Sequence, residues 1–435
     1  MQQLKVQPDL SNSESGVYVT MNQERWYQIT DSDHLPPFFI TLASGADHWL
    51  FISSTGGLTA GRRAPEDALF PYLPVDRIHE SHPHTGPVNH FKVRVGSEHQ
   101  LWSPLFHGRA WKGHCTRNLY KSVNGTKICF EEIHHTLQLS YRLIISTSEQ
   151  YGFVVSSDII NLGRQDISFD LLSGLQNILP ANTPRPIQET SSNLVDAYKR
   201  SELDPRTNLG LFTLYSAISD RAQANESLRA NTAFLVGLDN PQVTLDPRHI
   251  ETFLLDQTLT PQESARGIRG AFLVTTEMTL APREIARWAI VANVQQSQLD
   301  IAKLQATLLA KANLWETIAQ DVTETEQKLV ELVAGADGLQ RTQHEAVSVH
   351  HYANTLFNIM RGGTFVDGGM IRKQDFLSSI NQFDRQLEPA AEQALTSLPD
   401  TFELTTLTQT LGHQNNPQLN RLAQEYLPIS FGRRH

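Results

Sequence analysis

Hydrophobic positions alternate along most of the first two thirds of the chain. From residue 17 to 294, runs rich in β-branched and aromatic residues recur at Arg25–Thr30, His48–Ser53, Asn89–Val95, Lys127–Ile145, Gly152–Ile160, Ile167–Leu172, Gly210–Tyr215, Ala233–Gly237, Ala271–Thr279 and Ala286–Val294. A period of two puts successive side chains on opposite faces of a strand. Turn residues separate the runs, among them Asn124-Gly125, Asn161-Leu162-Gly163, Asn240-Pro241 and Asp246-Pro247. No helical runs alternate with these strands, so the pattern predicts an antiparallel sandwich rather than βαβ units.

The period then changes. From Ser297 to Gln320, Leu299, Ile301, Leu304, Leu308, Trp315 and Ile318 fall close to helical spacing. Ser297 with Asp300 three residues later reads as a helix start. A second helix is expected over Val322–Val333, with Gly335 ending it. Residues 342–360 predict a helix with one apolar stripe of Ala346, Val349, Ala353, Leu356 and Met360. On that stripe His350 borders the core and His351 faces solvent. Gln374–Leu387 reads as the next helix, followed by shorter ones at 389–397, 403–411 and 416–426.

Composition narrows the class. At 435 residues the chain exceeds one ordinary core. With 40% hydrophobic and 19% charged residues, it reads as globular. A net charge of −10 argues against nucleic acid as partner. The two cysteines, Cys115 and Cys129, exclude a disulfide scaffold and a four-thiolate zinc site, and read as reduced thiols. The polar start has no apolar signal core, and no stretch is long enough to span a membrane. A cytoplasmic location is therefore expected, which makes the sequons at Asn124 and Asn225 incidental.

Four stretches together carry a family likeness: ISSTGGLTAGRRAPEDALFPY (52–72), LLSGLQNILP (171–180), LVDAYKRSELD (194–204) and NTLFNIMRGGTFVDGGMIRKQDF (354–376). They resemble the large bacterial proteins grouped with cellobiose phosphorylase, formerly glycosyltransferase family 36. The resemblance implies an N-terminal β-super-sandwich, a helical linker, an (α/α)6 barrel that does the chemistry, and a C-terminal β cap. Mapped onto this chain, it implies an extended or disordered N-terminus over 1–16 and the sandwich over 17–295. The linker falls at 296–338 and the first helices of the barrel at 339–435. Six helix hairpins need roughly 250–400 residues, while residues 339–435 hold about four or five helices. The barrel is therefore expected to be incomplete, with the rest supplied by further polypeptide or a partner chain.

In such a barrel, loops leading into the inner helices share one rim. The Gly-rich loop Arg361–Gly369 is expected there, with Arg361, Thr364, Asp367 and Arg372 as candidate sugar contacts. The C-terminal SFGRRH is expected on the same rim, which adds Arg433, Arg434 and His435 and reads as a chain cut across a loop. The plainer reading of both is a structural turn. Asp367 and Asp375 are candidate carboxylates, but the family's catalytic acid maps to no position here. Asp375 reads instead as a dipole partner at a helix start.

In the sandwich, Thr55–Arg63 reads as a loop rather than a phosphate-binding motif, because the Gly-Lys-Ser/Thr ending is missing. The family likeness aims it at the barrel mouth, with Thr59, Arg62 and Arg63 as candidate contacts. The alternative is a local ion-pair network of the two arginines with Glu66 and Asp67. His79, His82 and His84 read as a polar loop rather than a metal site. Trp102, Phe106 and Trp111 read as core rather than sugar platforms.

The resulting expectation is the N-terminal part of a carbohydrate-active enzyme, taking a β-glucoside or an oligo- or polysaccharide by inverting phosphorolysis or glycosyl transfer. Inorganic phosphate is the implied co-substrate and no cofactor is implied. The expected protein partners are the remainder of the same polypeptide or a second copy. The alternative is a non-catalytic carbohydrate-binding or structural sandwich module.

Overall fold

The computed structural model describes residues 16–105, 114–190, 193–216, 228–257, 260–310, 313–360, 363–365, 370–426 and 431–433. The chain divides into two compact units, Met1–Glu326 and Gln327–His435.

The first unit is built on antiparallel sheets. The largest has eleven strands, running in space from Gly16–Met21 and Glu24–Ile29 through Cys115–Ser122, Ile128–His134, Leu139–Ser148, Gly152–Asn161 and Ile285–Ser297. It continues through Arg229–Val236, Leu209–Leu214 and Lys199–Asp204 to Ser264–Arg266. A five-stranded sheet is centred on Ile167–Ile178, between Gly270–Leu280 and Gly86–Val95. A four-stranded sheet orders Phe39–Leu42, His48–Ser53, Leu58–Arg62 and Ala68–Phe70. Ile52, Phe91, Leu171, Tyr141 and Trp288, drawn from all three sheets, share one hydrophobic core. Burying such side chains contributes about 1.5–3 kcal/mol each, which is why the alternation is so legible.

Both tryptophans of this core find a hydrogen-bond partner. The Trp102 indole donates to Glu132 Oε1 at 2.7 Å, and Trp288 donates to Ser173 Oγ at 2.8 Å. Trp102 is therefore core. Phe106 and Trp111 lie outside the described residues. On the other face of the large sheet a charged row crosses five strands in register: Asn118, Glu131, Arg142, Asp158 and Arg287.

Two strand expectations change. Lys127–Ile145 is a hairpin of two strands, with Gln138 at φ 54° in its turn. No Gly or Pro marks that turn, so the sequence reads straight through it. Leu58–Arg62, read as part of a loop, is a strand paired on both sides.

The longer helices begin with α1 (Gln298–Ala310) and α2 (Leu314–Gly335). Ser297 Oγ and the Ser297 amide both donate to Asp300 Oδ2, at 2.6 and 3.0 Å, so the expected cap is present. The break between the helices falls earlier than the pattern predicts, with Asn313 left-handed at φ 44°. No helix among the described residues is long and apolar enough to cross a membrane.

In the second unit, α3 spans Glu345–Met360, α4 Lys373–Phe383, α5 Glu388–Leu395, α6 Leu404–Gly412 and α7 Pro417–Glu425. The predicted stripe of α3 is rotated. Its buried residues are His351, Tyr352, Thr355 and Leu356, whereas Ala346, Ala353, Met360 and His350 are exposed. The cause lies outside the helix. Asp337 turns left-handed (φ 61°) after α2, and its carbonyl meets His351 Nε2 at 2.8 Å. Gly338 then packs so closely on Thr355 that an added Cβ would sit 3.1 Å from it.

Candidate functional site

The sandwich candidates resolve first. Thr59 is fully buried and donates to the Pro71 carbonyl at 2.8 Å. Arg62 Nε binds Asp47 Oδ1 at 2.5 Å, and its Nη1 reaches the Glu149 carbonyl and Asn293 Oδ1 at 3.1 and 3.3 Å. Arg63 Nε binds the other Asp47 oxygen at 2.7 Å. The predicted partners Glu66 and Asp67 are thus replaced by Asp47, brought alongside by the His48–Arg62 strand pairing. Burial raises the Asp47 pKa, but hydrogen bonds from Arg63 and Arg62 outweigh it and hold the carboxyl below its ordinary value. Burial, reinforced by the Arg62 charge, pushes neighbouring His48 down to about 3. Both arginines tie together the ends of the paired strands His48–Ser53 and Leu58–Arg62 through this shared carboxylate. His79 Nδ1 lies 2.7 Å from Ser53 Oγ. Among the described residues, no cluster of three or more His, Cys, Asp or Glu is placed to hold a metal ion.

In the second unit the two glycine-bearing segments meet as strands, not as loops. Gly363–Phe365 pairs antiparallel with Phe431–Arg433 in the register Gly363–Arg433, Thr364–Gly432 and Phe365–Phe431. Arg361, Asp367, Arg434 and His435 lie outside the described residues, and Thr364 and Arg433 are placed by their backbone alone. Arg372 is exposed at the N-cap of α4, its backbone opposite Thr401 in a second two-stranded ribbon. Asp375 sits in the first turn of α4, where a carboxylate complements the helix dipole.

Between α3, α4 and α7 lies an open cleft of about 770 Å³. From α3 come His350, His351 and Asn354; from α4, Ser379, Gln382 and Phe383; from α7, Gln418, Arg421 and Glu425. His351 is only 5% exposed, and its Nδ1 carries no hydrogen bond, whereas Phe383 is 75% exposed. Arg421 Nε and Glu425 Oε1 lie 3.5 Å apart, one turn apart on α7. At the rim, Tyr426 packs edge-on against Phe376 with ring centroids 5.1 Å apart. Burial, with a smaller push from the Asp375 charge, raises the Tyr426 phenol to about 12, so it stays a hydrogen-bond donor.

A second groove of about 460 Å³ shares Gln418 and Arg421 with the cleft and adds Gln343, Gln414, Asn415, Asn416 and Gln424. Amide and guanidinium groups offer donors and acceptors at fixed spacing, as neighbouring hydroxyls on a ring require. An exposed aromatic face supplies apolar area beside them. Such a lining can pair with the hydroxyls of an uncharged ligand as well as with a charged one. Sequence reading missed these residues because each helix alone looks like an ordinary amphipathic segment. The amide-rich run Gln414-Asn415-Asn416 was the one signal available.

Residues 365–428 match the family model described as glycoside hydrolase family 149 insertion domain 1. Most of the cleft and nearly all of the second groove fall inside that match. The second unit therefore carries a domain similar to one inserted in carbohydrate-active enzymes. A search of curated proteins finds no match. Among solved structures, a bacterial glucoamylase complexed with acarbose aligns over 85% of this chain and 54% of its own, at 10% identity and a TM-score of 0.39. A candidate kojibiose phosphorylase from the human microbiome aligns over 67% and 36%, at 11% identity and a TM-score of 0.37. The chain thus spans about half the length of the first and about a third of the second.

Proposed function

We propose that this chain is the N-terminal part of a carbohydrate-active enzyme of the cellobiose-phosphorylase type. In this reading residues 17–295 are the β-super-sandwich, 296–338 the linker, and α3 the first helix of an (α/α)6 barrel. The helices between the paired strands 363–365 and 431–433 then form an insertion after α3, rather than successive barrel hairpins. The parent enzyme transfers a β-glucosyl unit, with inorganic phosphate as acceptor, by inverting phosphorolysis. A carboxylic acid protonates the leaving oxygen while phosphate attacks the opposite face of the sugar. In this reading no residue of this chain is assigned as that acid.

The observation that carries the reading is the amide- and arginine-lined cleft, most of whose lining lies in a segment that matches a glycoside hydrolase insertion domain. In this chain the cleft contacts sugar through Gln382, Gln418 and Arg421, with Phe383 beneath a ring face. Titration calorimetry of the full chain with cellotetraose tests it. Saturable binding that weakens on Gln418→Ala and Arg421→Ala is expected. No binding, or binding indifferent to both changes, overturns it. The same chain by itself is expected to release no glucose 1-phosphate from cellobiose and phosphate, and release would place the acid among its own residues.

A further inference from the structure

Ile144, Val154 and Ala289 alternate along their strands with the core residues Leu143, Val155 and Ile290, so they point to the opposite face of the large sheet. There α2 covers them in part: Ile318 and Val322 pack with Val154 and Ala289 in a second apolar cluster. A groove of about 230 Å³ remains between sheet and helix. Trp26, Ile144 and Val154 line it from the sheet, and Trp315, Ile318 and Ala319 from α2. Its whole lining belongs to the first unit, and none of it lines the cleft of the second.

Trp26 is the unusual member. It is 2% exposed, and its Nε1 has no hydrogen-bond partner among the described residues. The other two buried tryptophans described, Trp102 and Trp288, both donate to a side-chain oxygen. A buried indole N–H usually finds an acceptor, because leaving it bare forfeits the hydrogen bond it made to water. The Trp26 ring lines the groove, so a ligand seated there can bring an acceptor oxygen to it. Ser146 and Ser156 line the groove as well, and a hydroxyl oxygen can accept from a ligand O–H.

Charge at the groove is already paired. Lys127 lines it together with Glu24, and the ammonium binds both Glu24 and, at 2.8 Å, Glu326. Glu326 also accepts from Asn124 Nδ2 and Thr126 Oγ1, at 3.0 and 2.9 Å. An anionic ligand therefore meets two carboxylates around one ammonium, and no other cation in the described lining. An ammonium ligand offers Trp26 no acceptor. What fits is an uncharged ring that carries a hydroxyl. The volume agrees: about 150 Å³ of apolar cavity holds benzene, so this groove has room for one substituted ring.

We propose that the groove between the large sheet and α2 is a binding site for a small uncharged aromatic alcohol. Its oxygen accepts from Trp26 Nε1, and its ring packs against Trp315 and the aliphatic side chains beside it. The ligand then touches strand and helix at once, so its binding stabilises the seating of α2 on the sheet.

The test is a fluorine NMR titration of the full chain with 4-fluorophenol and with 4-fluorotoluene, which keeps the ring and lacks the oxygen. Saturable binding of 4-fluorophenol is expected. Trp26→Phe removes the donor and should weaken 4-fluorophenol about tenfold while leaving 4-fluorotoluene unchanged. Ala319→Trp, at an exposed helix position beside the groove, should abolish binding of both without touching the buried ring. No saturable binding to the unaltered chain, or an affinity unmoved by Ala319→Trp, overturns the site. A loss on Trp26→Phe that is equal for the two ligands overturns the hydrogen bond. Tighter binding of 4-fluorobenzoate or 4-fluorobenzylamine than of 4-fluorophenol by the unaltered chain overturns the uncharged class.

Discussion

Glu131 and Arg142 face each other on adjacent strands, and Arg142 Nε donates to Glu131 Oε1 at 2.7 Å. Glu131 is almost fully buried and also receives Tyr120 Oη at 2.6 Å and Asn118 Nδ2 at 2.8 Å. Removing one partner of a buried pair strands the other. Arg142→Met is expected to destabilise the first unit by about 3–5 kcal/mol, and the double change Glu131→Leu, Arg142→Met by much less. Urea midpoints of the three chains check this, and equal losses for single and double variants would count against it.

The same row predicts a pH dependence. Burial raises the Glu131 pKa, but Arg142, Tyr120 and Asn118 together bring it below its ordinary 4.5. A depressed folded-state pKa gives stability that is present above pH 4.5 and lost as pH falls through the folded value. Asp158 in the same row has the opposite sign. Its burial outweighs Arg287 and Arg142 and lifts it above 3.8, so its contribution is present below that value and lost as pH rises through the folded one. Glu131→Gln is therefore expected to flatten the acid-side fall in stability, whereas Asp158→Asn is not. Urea titrations at pH values spanning about 3 to 6 distinguish them.

The helix cap at Ser297 offers a local test. Ser297→Ala removes the hydroxyl that donates to Asp300 and accepts from its amide, and should cost about 1 kcal/mol. Ser297→Thr should restore most of it. Thermal melts followed at the far-ultraviolet helix band report both.

This cap was legible because both of its residues lie within one turn. The strands of the large sheets were legible for a similar reason, since burial of alternate side chains writes the period into the sequence. Leu58–Arg62 was not, because Gly61 and two arginines look like a loop until the strand at His48 pairs beside them. The partner of those arginines, Asp47, is close in space only through that pairing. His351 was misplaced because its burial is decided by Asp337 and Gly338, beyond the periodicity of its own helix. The ribbon of Gly363–Phe365 with Phe431–Arg433 was the least legible, as its two strands lie far apart in the chain and neither has a strand-like pattern.

The inserted helices should respond as one cooperative body. Phe376 is completely buried at the centre of their core, and Phe376→Ala is expected to cost about 3–5 kcal/mol. Hydrogen exchange should show the loss in residues 371–426 and leave the strands of the first unit protected as before. Loss of protection throughout the chain would mean the segment has no folding identity of its own.

In the cleft, His351→Phe puts a somewhat larger ring in place of the imidazole and removes both nitrogens, including the Nε2 that bonds the Asp337 carbonyl. If Nδ1 accepts from a sugar hydroxyl, affinity for cellotetraose should fall about tenfold, the equivalent of one hydrogen bond to a buried acceptor. Glu425→Gln should weaken binding less, because an amide oxygen still accepts. Unchanged calorimetric affinity in both variants would place the ligand elsewhere.

Gly363 and Arg433 stand opposite each other whatever lies between them. To the flanking chain, the helices in between are equivalent to the tip of a hairpin. Ordering the flanks therefore costs nothing extra for the length of the excursion once it has folded, since its ends are already held together. Growth, loss or exchange of that excursion is then nearly invisible to the stability of its host. Such a junction lets the segment between the paired strands change in length without shifting the register of the pair.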